Sequence, residues 1–253
     1  MDKHARVYIR QRRTNLSSLT VILTVWKRNY LEDQLQSIYN QSIQADEIIV
    51  YQNDSHIDIS DLRERYGFTH IHNVNRNFKF HGRFTLPLIL DTDYVAIFDD
   101  DTIPNPGWLE YAVNKSKQLN SIIGANGRYS HIKVGGIDFG AFNTEDVEVD
   151  FVGLCWVFKR DWVKNFWRED QVTLDNAEDI QFCASLKVNG DIRSFVPAQP
   201  KDNPAIWSDP HNCVLGDDDL ASYKQQGHSD LRENVMGYWK DRGWKPVALE
   251  KSK

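Results

Sequence analysis

Cysteine is scarce in this chain of 253 residues. The three cysteines, Cys155, Cys183 and Cys213, are an odd number, and none belongs to a C-x-x-C pair. A disulfide framework needs paired cysteines and a structural zinc site needs closely spaced ligands, so this set argues against both. Sparse cysteines are typical of a reducing compartment, and we expect a cytoplasmic protein.

Long apolar runs and an excess of positive charge are also missing. The longest apolar stretch, residues 19–26, contains two threonines and is far shorter than the roughly 20 residues that span a bilayer. Acidic residues outnumber basic ones by 36 to 30, which gives a formal net charge of -6. Nucleic-acid binding depends on a basic face that neutralises phosphates, so we expect no nucleic-acid partner.

The first 18 residues are a basic exception, with Lys3 and four arginines among little apolar material. The apolar stretch that follows ends in Lys27 and Arg28 and lacks the small-residue cleavage site of a signal peptide. We predict a solvated arm. The alternative is a peripheral membrane contact through attraction of the arm to anionic lipid.

The chain does contain a regular alternation of strand-like and helix-like segments. Hydrophobic residues make up 41% of it, which is enough for one core. Apolar β-branched segments predict strands, and apolar residues three and four positions apart predict helices. The predicted strands are residues 19–25, 47–51, 69–74, 94–98, 121–125, 149–159 and 192–196, and the predicted helices are residues 31–39, 61–66, 82–90, 176–188 and 230–240.

This alternation predicts an α/β fold, a Rossmann-like and mostly parallel sheet flanked by helices in a single domain. In such sheets the ligand crevice lies beyond the carboxyl ends of the strands. Polar residues follow the first, second and fourth predicted strands, at positions 27–29, 53–55 and 99–101. We expect these three segments to converge on one crevice.

An aspartate triplet, Asp99, Asp100 and Asp101, directly follows the apolar strand at residues 94–98. Carboxylates this close repel one another unless a cation or a buried proton compensates. Oxygen ligands at a strand end suit Mg²⁺ or Mn²⁺, which bind a diphosphate in turn. The alternative is a solvated acidic turn, but the buried strand ahead favours the metal site. A later triplet at residues 217–219 is predicted to begin a helix instead.

Five segments follow one another in a specific order: residues 19–28, 47–54, 94–101, the glycine-containing strand at 152–160, and an acidic helix start at 177–180. This ordered set resembles the GT-A type of nucleotide-sugar glycosyltransferase over roughly residues 19–200, and is similar to its broad family 2 branch. Residues 81–84 and 123–128 also resemble the exostosin-like branch. The two branches differ in stereochemistry, so inversion or retention at the anomeric carbon stays open.

The resemblance implies transfer of a sugar from a nucleoside-diphosphate sugar, with a UDP-sugar as the expected donor, to a hydroxyl of a glycan or glycoconjugate. The implied cofactor is Mn²⁺ or Mg²⁺. We expect the chain to divide into an arm at 1–18, a GT-A domain at 19–215 and a C-terminal helical tail at 216–253. Within the domain, 19–105 is the nucleotide-binding half and 106–215 the acceptor half.

The resemblance assigns donor-binding roles to residues at the strand ends. Asp54 would accept an imide N–H of the base, and Arg83 would face the diphosphate or ribose with its fork of donors. Each residue also has a structural alternative, a sheet position or a turn. The full donor-binding set is Thr24, Trp26, Arg28, Asn53, Asp54, Arg83, Asp99 and Asp100.

Metal ligands are implied in two parts of the chain. Asp101 would be the principal ligand, with Asp99 beside it. A late histidine is the further implied ligand, and His211 is the first candidate because it follows the last predicted strand by a loop, with His228 as the second.

The acidic pair Glu178-Asp179 begins the predicted helix at 176–188. Adjacent helical residues point about 100° apart, so one carboxylate alone should face the sugar. The resemblance implies Asp179 as the catalytic carboxylate and Glu178 as its support. If transfer inverts, Asp179 takes the acceptor proton as a general base; if it retains, Asp179 stabilises positive charge at the anomeric carbon. The alternative is an acidic pair that only complements the helix dipole.

Other readings of the same residues remain. A haloacid-dehalogenase-type phosphatase would use Asp99 as nucleophile and Asp101 as acid/base, although three strand-like segments precede its motif here. A nucleotidyltransferase would need a glycine-rich phosphate loop, and a sugar-binding module would not need two acidic clusters.

Residues 198–216 are predicted as a lid. Four tryptophans are candidates for an acceptor platform or for core packing: Trp156, Trp162, Trp167 and Trp207.

Overall fold

The computed structural model describes residues 17–130, 138–211 and 215–251, so the predicted arm lies almost entirely outside the described residues. The strands within these ranges are β1 (Leu19–Val25), β2 (Glu47–Gln52), β3 (Thr69–His72), β4 (Tyr94–Phe98), β5 (Ile122–Arg128), β6 (Asp138–Phe139), β7 (Val147–Val149), β8 (Phe151–Lys159) and β9 (Ser194–Val196). The α-helices are α1 (Leu31–Tyr39), α2 (Ser60–Tyr66), α3 (Trp108–Leu119), α4 (Val163–Phe166), α5 (Glu178–Gly190), α6 (His228–Asp241) and α7 (Val247–Lys251).

One sheet contains all the strands of the described ranges, in the order β3-β2-β1-β4-β8-β5-β9-β7, with β6 paired to β5. Its N-terminal half is parallel, because β1 pairs with β2 and β4, and β2 pairs with β3. In the other half β8 runs antiparallel between β4 and β5. The predicted α/β fold with a Rossmann-like, helix-flanked sheet is confirmed, and the antiparallel pairs make the sheet a mixed one.

Both faces of the sheet are buried. Along β1, Ile22 packs into one hydrophobic cluster while Val21 and Leu23 pack into the other, as expected when successive side chains point to opposite faces. Helices α1 and α3 cover one face, and α4, α5 and α6 cover the other. This double covering explains the nearly continuous apolar runs of the parallel strands.

Four parts of the secondary structure differ from the sequence-based expectation. The helix predicted at 82–90 is two 3-10 turns, Gly82–Phe84 and Leu86–Ile89, and the chain becomes extended at Leu90. The strand predicted at 149–159 is divided at Asp150, whose carboxylate accepts backbone N–H groups of Ser130 and Val247 at 2.7 and 2.8 Å. That division separates β7 from β8.

Helix α3 is the third difference, because no helix was predicted between the fourth and fifth strands. The triplet at 217–219 does not begin a helix either; the next α-helix is α6, which begins at His228. Helix α6 has 14 residues, and no helix in the described part of the chain is long and apolar enough to cross a membrane.

Candidate active site

The ends of β1 and β4 lie side by side and bring two predicted segments together. The strands are parallel with Leu23 opposite Phe98, so the residues that follow each strand emerge at the same edge. The Thr24 hydroxyl donates to the Phe98 carbonyl at 2.8 Å and ties the two ends together. The next turn contains Lys27 at a positive φ of 60°, which directs Arg28 back toward the aspartate triplet.

Arg28 neutralises part of the triplet. Its Nη1 donates to Asp100 at 2.7 Å and lies 3.0 Å from a carboxylate oxygen of Asp101. The other side of the guanidinium donates from Nε and Nη2 to both oxygens of Asp218, each at 2.8 Å. Gly216 packs so closely on Asp101 that a Cβ there would lie 2.3 Å from its Oδ2. The segment beginning at residue 215 therefore covers the triplet.

Burial shapes the electrostatics of the triplet. Burial, followed by the charges of Asp99 and Asp100, raises the pKa of Asp101 to about 7. Burial also raises the pKa of Asp100 to about 6, although Arg28 opposes the shift. On the exposed side the hydrogen bonds from Arg28 lower the pKa of Asp218 to about 2. The neighbouring arginines therefore neutralise the negative charge of the triplet only in part.

Arg83 connects the triplet to helix α5. Its side chain is 5% exposed and donates through Nη1 to Asp99 and through Nη2 to Glu178, the latter at 2.9 Å. The guanidinium lies 4.6 Å from the centre of the Trp156 ring, which fixes its plane. Asp99, Arg83 and Glu178 therefore form one chain of charges from the end of β4 to the start of α5, with Arg83 and Glu178 buried and Asp99 partly exposed.

The acidic pair lies where the sequence placed it, at the first turn of α5. Glu178 faces inward to Arg83, and burial, followed by the charge of Asp179, raises its pKa to about 7. Asp179 points the other way and forms a two-pronged ion pair with Arg232 of helix α6, at 2.9 and 2.8 Å. The two carboxylates diverge as adjacent helical residues must.

Asn53, one of the two residues predicted to bind the base, holds the loop at residues 77–79 by hydrogen bonds. Asn53 is buried, and its amide bonds to Asn77 at 2.6 Å and to the Lys79 carbonyl at 3.1 Å. Asp54 is exposed at the end of β2, has a positive φ of 132° and accepts the N–H of Ser55. These side chains lie at the predicted edge of the sheet, but they contact neither Arg28 nor the triplet. Trp26 is half-buried beside them, under the ammonium of Lys27.

The two late histidines lie at different places around the site. The imidazole of His211 is exposed, while its backbone N–H donates to Asp209 at 2.9 Å. His228 lies on α6 and bonds to Asn176 at 3.2 Å, on the α5 side of the site. Asp209 was missed by sequence reasoning, although it stands two residues before His211. It is buried, and burial, with the field of Asp101 as a further cause, raises its pKa to about 6.

Two further ion pairs of the site could not be predicted from the sequence. Arg232 lies 53 positions from Asp179, and Asp218 lies 190 positions from Arg28, so only the fold reveals these pairs. Of the four candidate tryptophans, Trp156 is 1% exposed and serves the core beneath Arg83. Trp167 donates its indole N–H to the Phe84 carbonyl at 2.8 Å.

The residues present can be tested against a divalent cation. In the described ranges, no group of three or more His, Cys, Asp and Glu side chains is arranged to hold a metal ion. Asp101 Oδ1, however, is buried and has no hydrogen-bond partner among the described residues. A buried carboxylate oxygen without a partner is costly, and a hard cation suits it. These carboxylates therefore suit a divalent cation whose other ligands come from a bound diphosphate, as is common for Mg²⁺.

Comparisons with known proteins identify a family and two solved structures of similar fold. A model of glycosyl transferase family 2 matches residues 20–167. A crystal structure of S. aureus TarS is similar with a TM-score of 0.52 and 15% identity, covering 72% of this chain and 35% of that one. A structure of S. aureus TarS 1–349 gives a TM-score of 0.53 and 15% identity, covering 73% of this chain and 61% of that one.

At this identity the likeness to TarS concerns the fold alone, and this chain spans less than two thirds of either TarS chain. No curated protein matches. The family model, in contrast, matches more than half of the chain, from the second residue of β1 to the segment after α4. The chain belongs to glycosyl transferase family 2.

Proposed function

We propose that this protein transfers a sugar from a nucleoside-diphosphate sugar to a hydroxyl of a glycan or glycoconjugate acceptor, and that the reaction depends on a divalent cation. The observation that carries the proposal is the chain of charges Asp99–Arg83–Glu178. It joins the donor side, at the end of β4, to the acceptor side, at the start of α5. Membership of family 2 supports the same reaction class.

The donor occupies the edge of the sheet at the ends of β1, β2 and β4. Asp54 is exposed there and accepts the imide N–H of a uracil base, which makes a UDP-sugar the expected donor. Arg28 and Arg83 carry the positive charge nearest to the diphosphate. The remaining donor contacts come from Thr24, Trp26, Asn53, Asp99 and Asp100.

Mn²⁺ or Mg²⁺ is the proposed cofactor. Asp101 and Asp99 are its proposed carboxylate ligands, with His211 as the further ligand from the sequence. Asp209 joins the candidates because it is buried within the field of Asp101. When bound, the cation would neutralise the negative charge of the diphosphate leaving group.

Asp179 is the proposed catalytic carboxylate. In an inverting reaction it accepts the proton of the acceptor hydroxyl as that oxygen attacks the anomeric carbon and the diphosphate leaves. Glu178 does not compete for this proton because it faces inward to Arg83. Its role is to hold Arg83 in place between the two halves of the site.

An assay of released nucleoside diphosphate tests this proposal. Sugar nucleotides are incubated with Mn²⁺ and candidate acceptors, and the Asp179→Asn variant is compared with the wild type. The variant should lose transfer by about 100-fold or more, the scale of general-base catalysis, while its nucleotide affinity stays unchanged. Asp161→Asn, which removes an exposed carboxylate, serves as the control and should keep full activity. Full activity of Asp179→Asn would refute the catalytic assignment.

Hydrolysis of an aryl phosphate tests the phosphatase alternative. Asp99 follows the fourth strand and its carboxylate is paired with Arg83, an arrangement that does not favour a covalent nucleophile. A phosphatase would hydrolyse a generic aryl phosphate rapidly with metal and would ignore sugar nucleotides. We expect no such hydrolysis.

A further inference from the structure

Helix α6 is attached to the start of helix α5 by polar contacts. Arg232 of α6 pairs with both oxygens of Asp179, and His228, one turn earlier on α6, bonds to Asn176 just ahead of α5. Both helices lie beyond residue 167, where the family match ends. The contacts of Asp179 are therefore a property of this chain that the match does not describe.

The two oxygens of Asp179 are bonded unequally. Oδ1 accepts the backbone N–H of Ile180 at 2.8 Å and Nη1 of Arg232 at 2.9 Å. Oδ2 accepts Nη2 of Arg232 at 2.8 Å and has no other partner among the described residues. An ionised carboxylate has about four acceptor positions, two on each oxygen. Oδ2 therefore retains an acceptor position, whereas Oδ1 is fully used.

Arg232 is itself held in a fixed orientation. Its side chain is 17% exposed, and its guanidinium lies 5.1 Å from the centre of the Phe151 ring at the start of β8. A planar guanidinium bound by both prongs fixes the plane of a carboxylate as well as its position. The positive charge also offsets the repulsion between Asp179 and the buried Glu178.

We propose that Arg232 is the positioning residue for Asp179 and that Oδ2 is the oxygen that receives the acceptor proton. This inference rests on the proposed function, because it assumes that Asp179 is the acceptor-activating carboxylate. Arg232 contacts neither the donor nor the acceptor in this role. It acts by keeping one oxygen of the base directed at the acceptor hydroxyl.

Steady-state kinetics of three variants tests the role of Arg232. Arg232→Gln should lower kcat by about 10- to 100-fold, because a misplaced catalytic group costs about that much. The KM values for donor and acceptor should stay within about twofold, since no binding contact is lost. Arg232→Lys should remain slow because an ammonium keeps the charge but lacks the fork. Arg242→Gln removes the exposed pair with Glu169 at the end of the same helix and should leave kcat unchanged.

A second comparison uses the Asp179→Asn background. If Arg232 acts through Asp179, adding Arg232→Gln to that background should not reduce the residual rate further. A kcat of wild-type size in Arg232→Gln or in Arg232→Lys would overturn the inference. So would a rise confined to the acceptor KM, or an equal loss of rate in both backgrounds. Thermal melting of each variant confirms that it is folded, and Arg232→Lys supplies the answer if Arg232→Gln does not fold.

Measurements on the wild-type protein distinguish failure of this inference from failure of the proposed function. If the wild-type protein neither binds nucleotide nor transfers sugar, the proposed function is wrong. If the wild type transfers sugar and the Arg232 variants match it, the function stands and the positioning role is wrong.

Discussion

At the scale of single residues, the site contains four carboxyl groups whose pKa values are raised by burial. The values are about 6 for Asp100 and Asp209 and about 7 for Asp101 and Glu178. Each of these groups is harder to ionise in the folded chain than in the unfolded one, so each costs stability at neutral pH. The cost is offset when a cation and Arg28 or Arg83 share the charge.

Glu178→Gln tests this cost. The pKa of Glu178 rises from 4.5 to about 7 on folding. The stability that the protonated Glu178 carboxyl contributes is therefore fully present below about pH 4.5 and is lost as the pH rises through 7. The variant should gain stability relative to wild type on going from pH 4.5 to pH 8, by on the order of 1–3 kcal/mol. Urea unfolding at both pH values measures the difference.

Glu64→Gln, which replaces an exposed glutamate on α2, is the matched control for that titration. Its stability relative to wild type should be the same at both pH values. A Glu178→Gln variant that behaves like this control would contradict the assignment of a costly buried carboxyl.

Some of these residues could be predicted from the sequence because their signal is local. Asp99–Asp101 stand directly after an apolar strand, and Glu178 and Asp179 stand at a helix start, so the chain order alone predicted where they lie. Arg232 and Asp218 could not be found in this way. Their partners are far away in sequence: Arg232 stands in a polar helix, and the triplet that contains Asp218 was predicted to begin a helix rather than to pair with Arg28.

At the scale of elements, the strands of the parallel half were predicted well because each is an apolar run ended by polar residues. Helix α3 was missed although Trp108, Leu109, Ala112 and Val113 are buried at helical spacing. The sequence predicts one helix across the turns at Gly82–Phe84 and Leu86–Ile89 because their apolar residues imitate the helical period. The Pro87 ring, without an N–H, sits at the start of the second turn and prevents continuation of the first.

The first of these turns gives a prediction, because it carries Arg83. A Cβ on Gly82 would lie 1.9 Å from the Tyr51 hydroxyl and 2.9 Å from Phe78 Cβ. Gly82→Ala should therefore displace the turn, lower the free energy of unfolding by about 1–3 kcal/mol and weaken nucleotide binding through Arg83. Denaturant unfolding and nucleotide titration measure the two effects.

Gly237 offers the matched control. It lies inside α6 with nothing within 4 Å of a built Cβ. Gly237→Ala should raise the free energy of unfolding by about 0.5–1 kcal/mol, since alanine has the better helix propensity. If both alanine variants changed stability in the same direction, the close approach at Gly82 would not be the cause.

At the scale of the whole molecule, the net charge of -6 has a local meaning. Acidic residues gather at one edge of the sheet, in the triplet, in Asp209 and at the start of α5, where Arg28, Arg83 and Arg232 only partly neutralise them. The fold class followed from the alternation of strands and helices. The sequence did not predict that residues 215–224 and helix α6 cover that edge, because this arrangement depends on contacts between distant parts of the chain.

The proposed function requires that the triplet bind a nucleoside diphosphate together with a divalent cation. Isothermal titration of UDP into the protein tests it most directly, in Mn²⁺ and in EDTA, with Asp101→Asn alongside the wild type. UDP should bind only when Mn²⁺ is present, and Asp101→Asn should weaken that binding by about tenfold or more, because the proposed carboxylate ligand is removed. Equal binding in EDTA, or no binding in either condition, would contradict it.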